Sequence, residues 1–218
     1  QAAMETMMSR FAEAYSIHVY SGSYLVLEEG RLYNSGALFD RQGKLVLRQH
    51  KIHLTDFEAA LGLGRETRLH AADLDIGRVV CPICMDATYF ETFRAADRMG
   101  ARIVILPIAN NEEYESHKAL RGLWPRVQES FLFGLKAALT GWMAGMHFTG
   151  RASIFVPMEM TPAGDGIIAM SKRFEGNEIV FGELDLEELE RWRERAEYFG
   201  DVNEEYERDY VQRTYGKI

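Results

Sequence analysis

The spacing of apolar residues changes along the chain, and it predicts a helix followed by strands. Apolar residues recur every three or four positions over Ala2–Tyr15, which predicts an amphipathic helix. The period then falls to two and predicts three strands, over residues 17–27, 32–39 and 44–50. The gaps between these strands are short and rich in turn residues, so we expect antiparallel neighbours.

Helices and strands continue to alternate through the rest of the chain. Capping-box spacing at Thr55/Glu58 and at Thr88/Glu91 predicts two helix starts. The apolar pattern predicts a strand over 72–83, a helix over 88–99, a strand over 102–107, a helix from 124, strands over 151–157, 166–170 and 178–184, and a helix over 186–199. Residues 131–140 fit either a helix or a strand. This mixture of hairpins and strand–helix–strand units predicts one α/β domain over residues 1–200.

The C-terminal segment differs in composition from the rest. Residues 201–218 are charged and aromatic and cannot form a core alone, so we expect a disordered tail or an arm laid on a neighbouring subunit.

Composition and charge narrow the classes of protein. The 218 residues carry 25 basic and 33 acidic side chains, a net charge of −8, which argues against a nucleic-acid partner. No apolar run reaches the roughly 18–20 residues that span a membrane, so we expect no membrane partner. Two cysteines and ten methionines suit a reducing compartment and favour a cytoplasmic location.

The main candidate for chemistry is Cys84, which lies between a predicted buried strand and a predicted helix. A thiol on such a turn is held exposed beside backbone N–H groups, as a nucleophile requires. A buried structural cysteine is the alternative. A redox pair with Cys81 is a second alternative, although Cys81 lies inside the apolar run and not at a helix start. The six histidines show no spacing typical of a zinc site, so we expect neither metal nor cofactor.

Three other features have ordinary structural explanations when each is taken alone. Lys51 ends a predicted strand, where lysines are usually solvated. Glu58 completes a capping box. Arg126 and Glu129 have the spacing of a helical surface ion pair.

Taken in order, these segments resemble the nitrilase superfamily of carbon–nitrogen hydrolases. No single motif is specific, but the ordered set covers residues 5–198. The matching stretches are YNSGALFD at 33–40, RQHKIHL at 48–54, CMD at 84–86, FE at 90–91, GA at 100–101, LP at 106–107 and RVQE at 126–129.

The resemblance implies a four-layer α-β-β-α sandwich and a cysteine hydrolase that cleaves a small linear amide or nitrile through a thioester. Carried over by position, Cys84 is the nucleophile, Lys51 the oxyanion-stabilising cation and the Met85 N–H a second oxyanion donor. Glu58 resembles the glutamate that positions the lysine. Asp86, Arg126 and Glu129 are expected to support the site. Family members are often homodimers with exchanged C-terminal tails.

One family feature has no match. The family's general base is a glutamate in a Pro-Glu motif on a strand before the first helix, whereas this chain opens with Gln1 and that helix; Glu5 and Glu13 lie on the helix and do not replace it. We therefore expect that the N-terminal part of the domain is missing. Two hypotheses stay open: an amidase-like carbon–nitrogen hydrolase, or a nitrilase-like binding or assembly subunit without catalysis.

Overall fold

The computed structural model describes residues 1–120, 122–197 and 203–216, and its elements alternate between helix and strand. In chain order they are α1 (Ala2–Tyr15), β1 (Val19–Glu28), β2 (Arg31–Phe39), β3 (Leu45–His50), α2 (Asp56–Ala60), β4 (Ala71–Leu74), β5 (Gly77–Val80), a 3-10 helix (Cys84–Thr88), α3 (Phe90–Arg98), β6 (Ile103–Ile108), α4 (Ser116–Leu120), α5 (Leu123–Ser130), β7 (Phe133–Ala138), β8 (Gly141–Met143), β9 (Met146–Phe148), β10 (Ser153–Phe155), a 3-10 turn (Met158–Met160), β11 (Ile167–Met170), α6 (Leu186–Arg195) and α7 (Glu204–Tyr215).

Two sheets form the middle of the molecule. The first is the antiparallel meander β1-β2-β3, and the second is six-stranded with the order β11-β10-β7-β6-β5-β4. Strands β5, β6 and β7 are parallel to one another, and the remaining pairs of this sheet are antiparallel. The carboxyl ends of β5, β6 and β7 therefore meet at one edge, where open α/β sheets usually bind ligands.

Three apolar clusters join four layers. Ala12 of α1 packs on Phe39 of the first sheet. Leu38 of that sheet shares a cluster with Phe133 of the second sheet. The opposite face of the second sheet packs on α3 and α5, in a cluster that includes Phe93. This arrangement confirms the predicted α-β-β-α sandwich.

The helix α5 lies close against β7 because position 134 has no side chain. A β carbon on Gly134 would lie 2.6 Å from Val127 Cγ2 and 3.0 Å from Leu123 Cγ, closer than such atoms normally approach. The sequence of residues 131–140 fits either a helix or a strand, and the structure shows a strand over 133–138.

Three predicted elements are wrong in detail. Residues 72–83 form a hairpin of β4 and β5 and not one strand, because Gly77 takes a φ of +105° at the turn. The capping box at Thr88 is absent: Thr88 ends the 3-10 helix, and α3 begins after Tyr89 without a side-chain cap. Residues 178–184 form no strand, and Ile179 and Phe181 are exposed.

The helix α7 contacts α3 of the same chain. Glu207 pairs with Arg94 and Arg98, and the Tyr215 hydroxyl donates to the Glu91 carboxylate at 2.8 Å. The boundary at residue 200 and the end of the predicted helix at 199 lie outside the described residues. Within the described ranges, no helix is long and apolar enough to cross a membrane.

Candidate active site

Cys84 occupies a strained turn at the carboxyl end of β5. It is the first residue of the 3-10 helix and has a φ of +47°, a left-handed conformation that costs a non-glycine residue about 1–3 kcal/mol. Its side chain is partly exposed and lines a cleft of about 360 Å³. The Met85 N–H follows in the first turn of this helix, where backbone donors have no intrahelical acceptor. The turn therefore combines an accessible thiol with an available backbone donor.

Cys81 differs from Cys84 in burial. It is fully buried, and burial raises the pKa of its thiol well above the usual value. Both cysteines are free. A fully buried thiol of high pKa is a poor partner for disulfide exchange, so the redox alternative loses its support.

Asp86 holds the Cys84 turn against the segment that follows β3. Its fully buried carboxylate accepts hydrogen bonds from the Ile83 N–H at 2.8 Å, the His53 N–H at 2.7 Å and the Ile52 N–H at 3.2 Å. One carboxylate thus fixes both the residue before Cys84 and the residues after Lys51. The expected supporting role of Asp86 is therefore structural, because its carboxylate holds these two segments in place relative to each other.

Lys51 and Glu58 form a buried ion pair. Lys51 Nζ lies 2.6 Å from Glu58 Oε2, and the lysine side chain is only 3 % exposed. Glu58 also accepts from Asn34 Nδ2 at 2.8 Å and from the Thr55 N–H at 2.8 Å. Burial alone would raise the pKa of this carboxyl, but its hydrogen bonds with Lys51, Asn34 and Thr55 outweigh burial and lower the pKa below its usual value. A carboxylate engaged in this way orients the lysine and is poorly suited to accept a proton.

Thr55 connects the ion pair to the cleft. Its hydroxyl lies 3.0 Å from Glu58 Oε2, and Thr55 lines the cleft together with Cys84. The capping box that the sequence predicts at Thr55 and Glu58 is present. The same carboxylate therefore caps α2 and holds Lys51.

Arg126 and Glu129 lie on α5 behind the Cys84 turn. Arg126 Nη1 pairs with Glu129 Oε2 at 2.6 Å, and Arg126 Nη2 donates to the Thr88 carbonyl at 3.3 Å. Arg126 thus supports the last residue of the 3-10 helix, whereas the Glu129 side chain is 55 % exposed.

Two residues of the site were not identified from the sequence. Asn34 holds Glu58, and it stands inside the YNSGALFD stretch, so the motif carried a signal for it. Lys136 is 6 % exposed and lines the same cleft as Cys84. No local sequence pattern marks Lys136 as a site residue, because a single lysine in an apolar run looks like a break in that run. Among the described residues, no group of three or more His, Cys, Asp or Glu side chains could hold a metal ion.

Comparison with known proteins decides the family. The carbon–nitrogen hydrolase family model matches residues 1–194. The chain belongs to the carbon–nitrogen hydrolase family. The predicted membership of the nitrilase superfamily and the prediction of an amidase-like hydrolase are thus confirmed at the level of the family.

Curated relatives include hydrolases and amidases. The probable hydrolase YhcX of Bacillus subtilis is 26 % identical over 199 residues, which are 88 % of this chain and 38 % of YhcX. The omega-amidase NIT3 of Saccharomyces cerevisiae is 25 % identical over 215 residues, 90 % of this chain and 71 % of NIT3. The chain thus spans well under half the length of YhcX and about seven tenths of NIT3.

Solved structures share the fold of this chain. Yeast Nit3, described as a member of the nitrilase superfamily, aligns with a TM-score of 0.76 at 21 % identity, covering 89 % of this chain and 69 % of Nit3. An amidase from Nesterenkonia sp. AN1 aligns with a TM-score of 0.76 at 19 % identity, covering 96 % of this chain and 75 % of the amidase. That structure shows acrylamide added at the active site cysteine of the amidase.

Proposed function

We propose that this protein hydrolyses the C–N bond of a small linear amide through a thioester on Cys84. The observation that carries the proposal is the strained Cys84 turn, which presents a partly exposed thiol to a cleft and is tied by Asp86 to the segment bearing Lys51. The amidase names of the relatives favour an amide over a nitrile.

The reaction has two steps that share one kind of intermediate. The Cys84 thiolate attacks the amide carbon, and the carbonyl oxygen becomes an oxyanion. Collapse of this intermediate breaks the C–N bond, releases ammonia after proton transfer to nitrogen, and leaves an acyl thioester. Water then attacks the thioester and yields the carboxylic acid and the free thiol.

In both steps negative charge develops on the carbonyl oxygen, and the site must stabilise this oxyanion. We assign its stabilisation to Lys51 Nζ and the Met85 N–H, because a fixed cation and a backbone donor in a water-poor site stabilise such charge strongly. Loss of one such donor typically lowers kcat about 10²–10³-fold. Glu58 acts as a positioning residue, since its oxygens already bind Lys51, Asn34 and Thr55. In the family the proton carrier is a glutamate of a Pro-Glu motif, and no residue of this chain matches it.

Ammonia release from a panel of amides and nitriles tests the proposal. We expect the full-length protein to release ammonia from at least one small amide, and Cys84→Ala to lose this activity at least about 10³-fold. Cys81→Ala is the matched control, because it removes the other thiol and should retain the activity. Failure of the full-length protein on every substrate would favour the alternative, a binding or assembly subunit.

Homodimer formation through the C-terminal arm and a cytoplasmic location remain predictions. Tyr206 and Val211 on α7 are 64 % and 55 % exposed, which leaves apolar surface available for a second copy. Light scattering at several protein concentrations tests the dimer, and a mass that stays monomeric throughout would contradict it.

A further inference from the structure

The imidazole ring of His53 contacts the carboxylate that organises the Cys84 turn. Its Nδ1 lies 3.3 Å from Asp86 Oδ1, the oxygen that also accepts the His53 N–H at 2.7 Å. A carboxylate can only accept hydrogen bonds, so Nδ1 carries the proton and donates it. The Asp86 side chain is fully buried, whereas the His53 side chain is 28 % exposed. His53 thus adds a side-chain donor to the backbone donors of Asp86.

Tyr89 holds the His53 ring in this orientation. The two rings are stacked, with their centroids 3.8 Å apart and their planes 12° from parallel. Tyr89 is the residue directly after the 3-10 helix, and its own N–H lies 3.4 Å from the Asp86 carbonyl oxygen. A ring stacked on a neighbour cannot rotate freely, so Nδ1 stays directed at Asp86.

The two contacts of the His53 ring lie towards opposite ends of the helix that begins with Cys84. Asp86 is in the first turn of this 3-10 helix, and Tyr89 follows its last residue. His53 is two residues after Lys51, on the segment that follows β3. One ring therefore links the segment that bears the proposed cation to both ends of the helix that bears the proposed nucleophile.

The contact also bears on the charge near the thiol. Asp86 lies two residues after Cys84, and a negative charge close to a thiol disfavours its thiolate form. The donor from His53 compensates part of that charge, and the thiolate is the form that attacks carbon. Among the described residues, Cys84 and Met85 line the cleft whereas His53 does not. His53 therefore acts on the thiol through the residues that it holds.

We propose that His53 is a positioning residue for Cys84, which acts through the hydrogen bond from its ring to Asp86 and is held in place by Tyr89. This inference rests on the proposed function for its effect on turnover, while its effect on the reactivity of the thiol is independent of that function.

Two variants of His53 separate its donor from its ring. His53→Phe keeps a ring that can stack on Tyr89 but has no donor, whereas His53→Asn keeps an amide N–H near the place of Nδ1 but has no ring. Iodoacetamide labelling of Cys84 at pH 7, followed in peptide mass spectra, measures the reactivity of the thiol. We expect His53→Phe to slow labelling about 3- to 10-fold, the size of effect expected from one hydrogen bond, and His53→Asn to slow it less than about 2-fold.

Turnover adds a second readout. With an amide that the natural protein hydrolyses, His53→Phe should lower kcat about 10- to 100-fold and change KM less than about 3-fold, because misplaced reacting groups mainly affect the transition state. His53→Asn should restore most of kcat. Urea unfolding of each variant shows that the fold is intact, since a merely structural role of His53 would lower stability without this split between kcat and KM.

Variants of two other residues keep the test decisive. Tyr89→Leu removes the stack and leaves the His53 donor free to rotate, so it should slow Cys84 labelling about 2- to 5-fold, and its result decides if His53→Phe does not fold. His70→Phe is the matched control, because the His70 side chain is 45 % exposed and pairs with Glu66 at 3.4 Å, so labelling should not change.

The labelling result also separates this inference from the proposed function. Labelling of Cys84 at the natural rate in His53→Phe, or equal slowing in His53→Phe and His53→Asn, would overturn the positioning role. Slower labelling in His53→Phe but not in His53→Asn, without ammonia release by the natural protein from any amide, supports the positioning role and contradicts the proposed function.

Discussion

Replacing Glu58 by glutamine leaves Lys51 buried without its counter-ion. The two side chains are 3 % and 14 % exposed, and the N–O distance is 2.6 Å, so the pair has little contact with water. Removing one partner of a buried pair typically costs about 3–5 kcal/mol. We therefore expect Glu58→Gln to lower the free energy of unfolding by that amount at pH 7, measured by urea unfolding with tryptophan fluorescence.

A double-mutant cycle isolates the interaction from the rest of the site. Lys51→Met combined with Glu58→Gln leaves no unpaired charge, so the double variant should lose about 1–3 kcal/mol less than the sum of the singles. Glu129→Gln is the matched control: its pair with Arg126 has the same 2.6 Å distance, but Glu129 is half exposed, so the loss should stay below about 1 kcal/mol. Additive effects in the cycle would refute the inference that Glu58 holds Lys51.

The pH dependence of this stabilisation has a definite sign. The hydrogen bonds of Glu58 lower its folded pKa, so its stabilising contribution is present above the unfolded value of 4.5 and is lost as the pH falls through the folded pKa. The difference between the natural protein and Glu58→Gln should therefore shrink below about pH 4.5. A difference that stays constant down to the acid unfolding transition would contradict this assignment.

Two other predictions concern the Cys84 turn. Asp86→Asn replaces one acceptor oxygen by a donor facing backbone N–H groups, so it should lower the free energy of unfolding by about 2–4 kcal/mol; a urea midpoint like that of the natural protein would count against it. Iodoacetamide should label Cys84 faster than the buried Cys81 in peptide mass spectra, and equal rates would contradict the assigned nucleophile.

The layers of the fold could be predicted because their signals are local. The three- and four-residue apolar spacing of α1 placed it at Ala2–Tyr15, as observed. The turn residues between β1, β2 and β3 likewise predicted the antiparallel meander. The strand predicted over 178–184 is wrong because strand formation is not decided locally. The segment alternates like a strand, but no described strand pairs with it. Pairing depends on the sheet and not on the segment alone.

The site was only partly predictable because its decisive contacts are long-range. Cys84 was found from the strand-to-helix position, but the 3-10 helix depends on Asp86 accepting from the Ile83 N–H and from the segment after β3. Lys136 was missed because its burial comes from α4 and β10, far away along the chain. The sequence shows that residue 136 is a lysine, but only the packing of the fold shows that this cation lies beside the Cys84 cleft.

Trapping of the acyl-enzyme tests the central claim most directly. The full-length protein is mixed with a turned-over amide, quenched in acid within one turnover, and its peptides are weighed by mass spectrometry. We predict that the acyl mass appears on the peptide containing Cys84, that ammonia is released in equal amount, and that Cys84→Ala shows neither. Ammonia release without an adduct on Cys84, or an adduct on Cys81, would contradict the account.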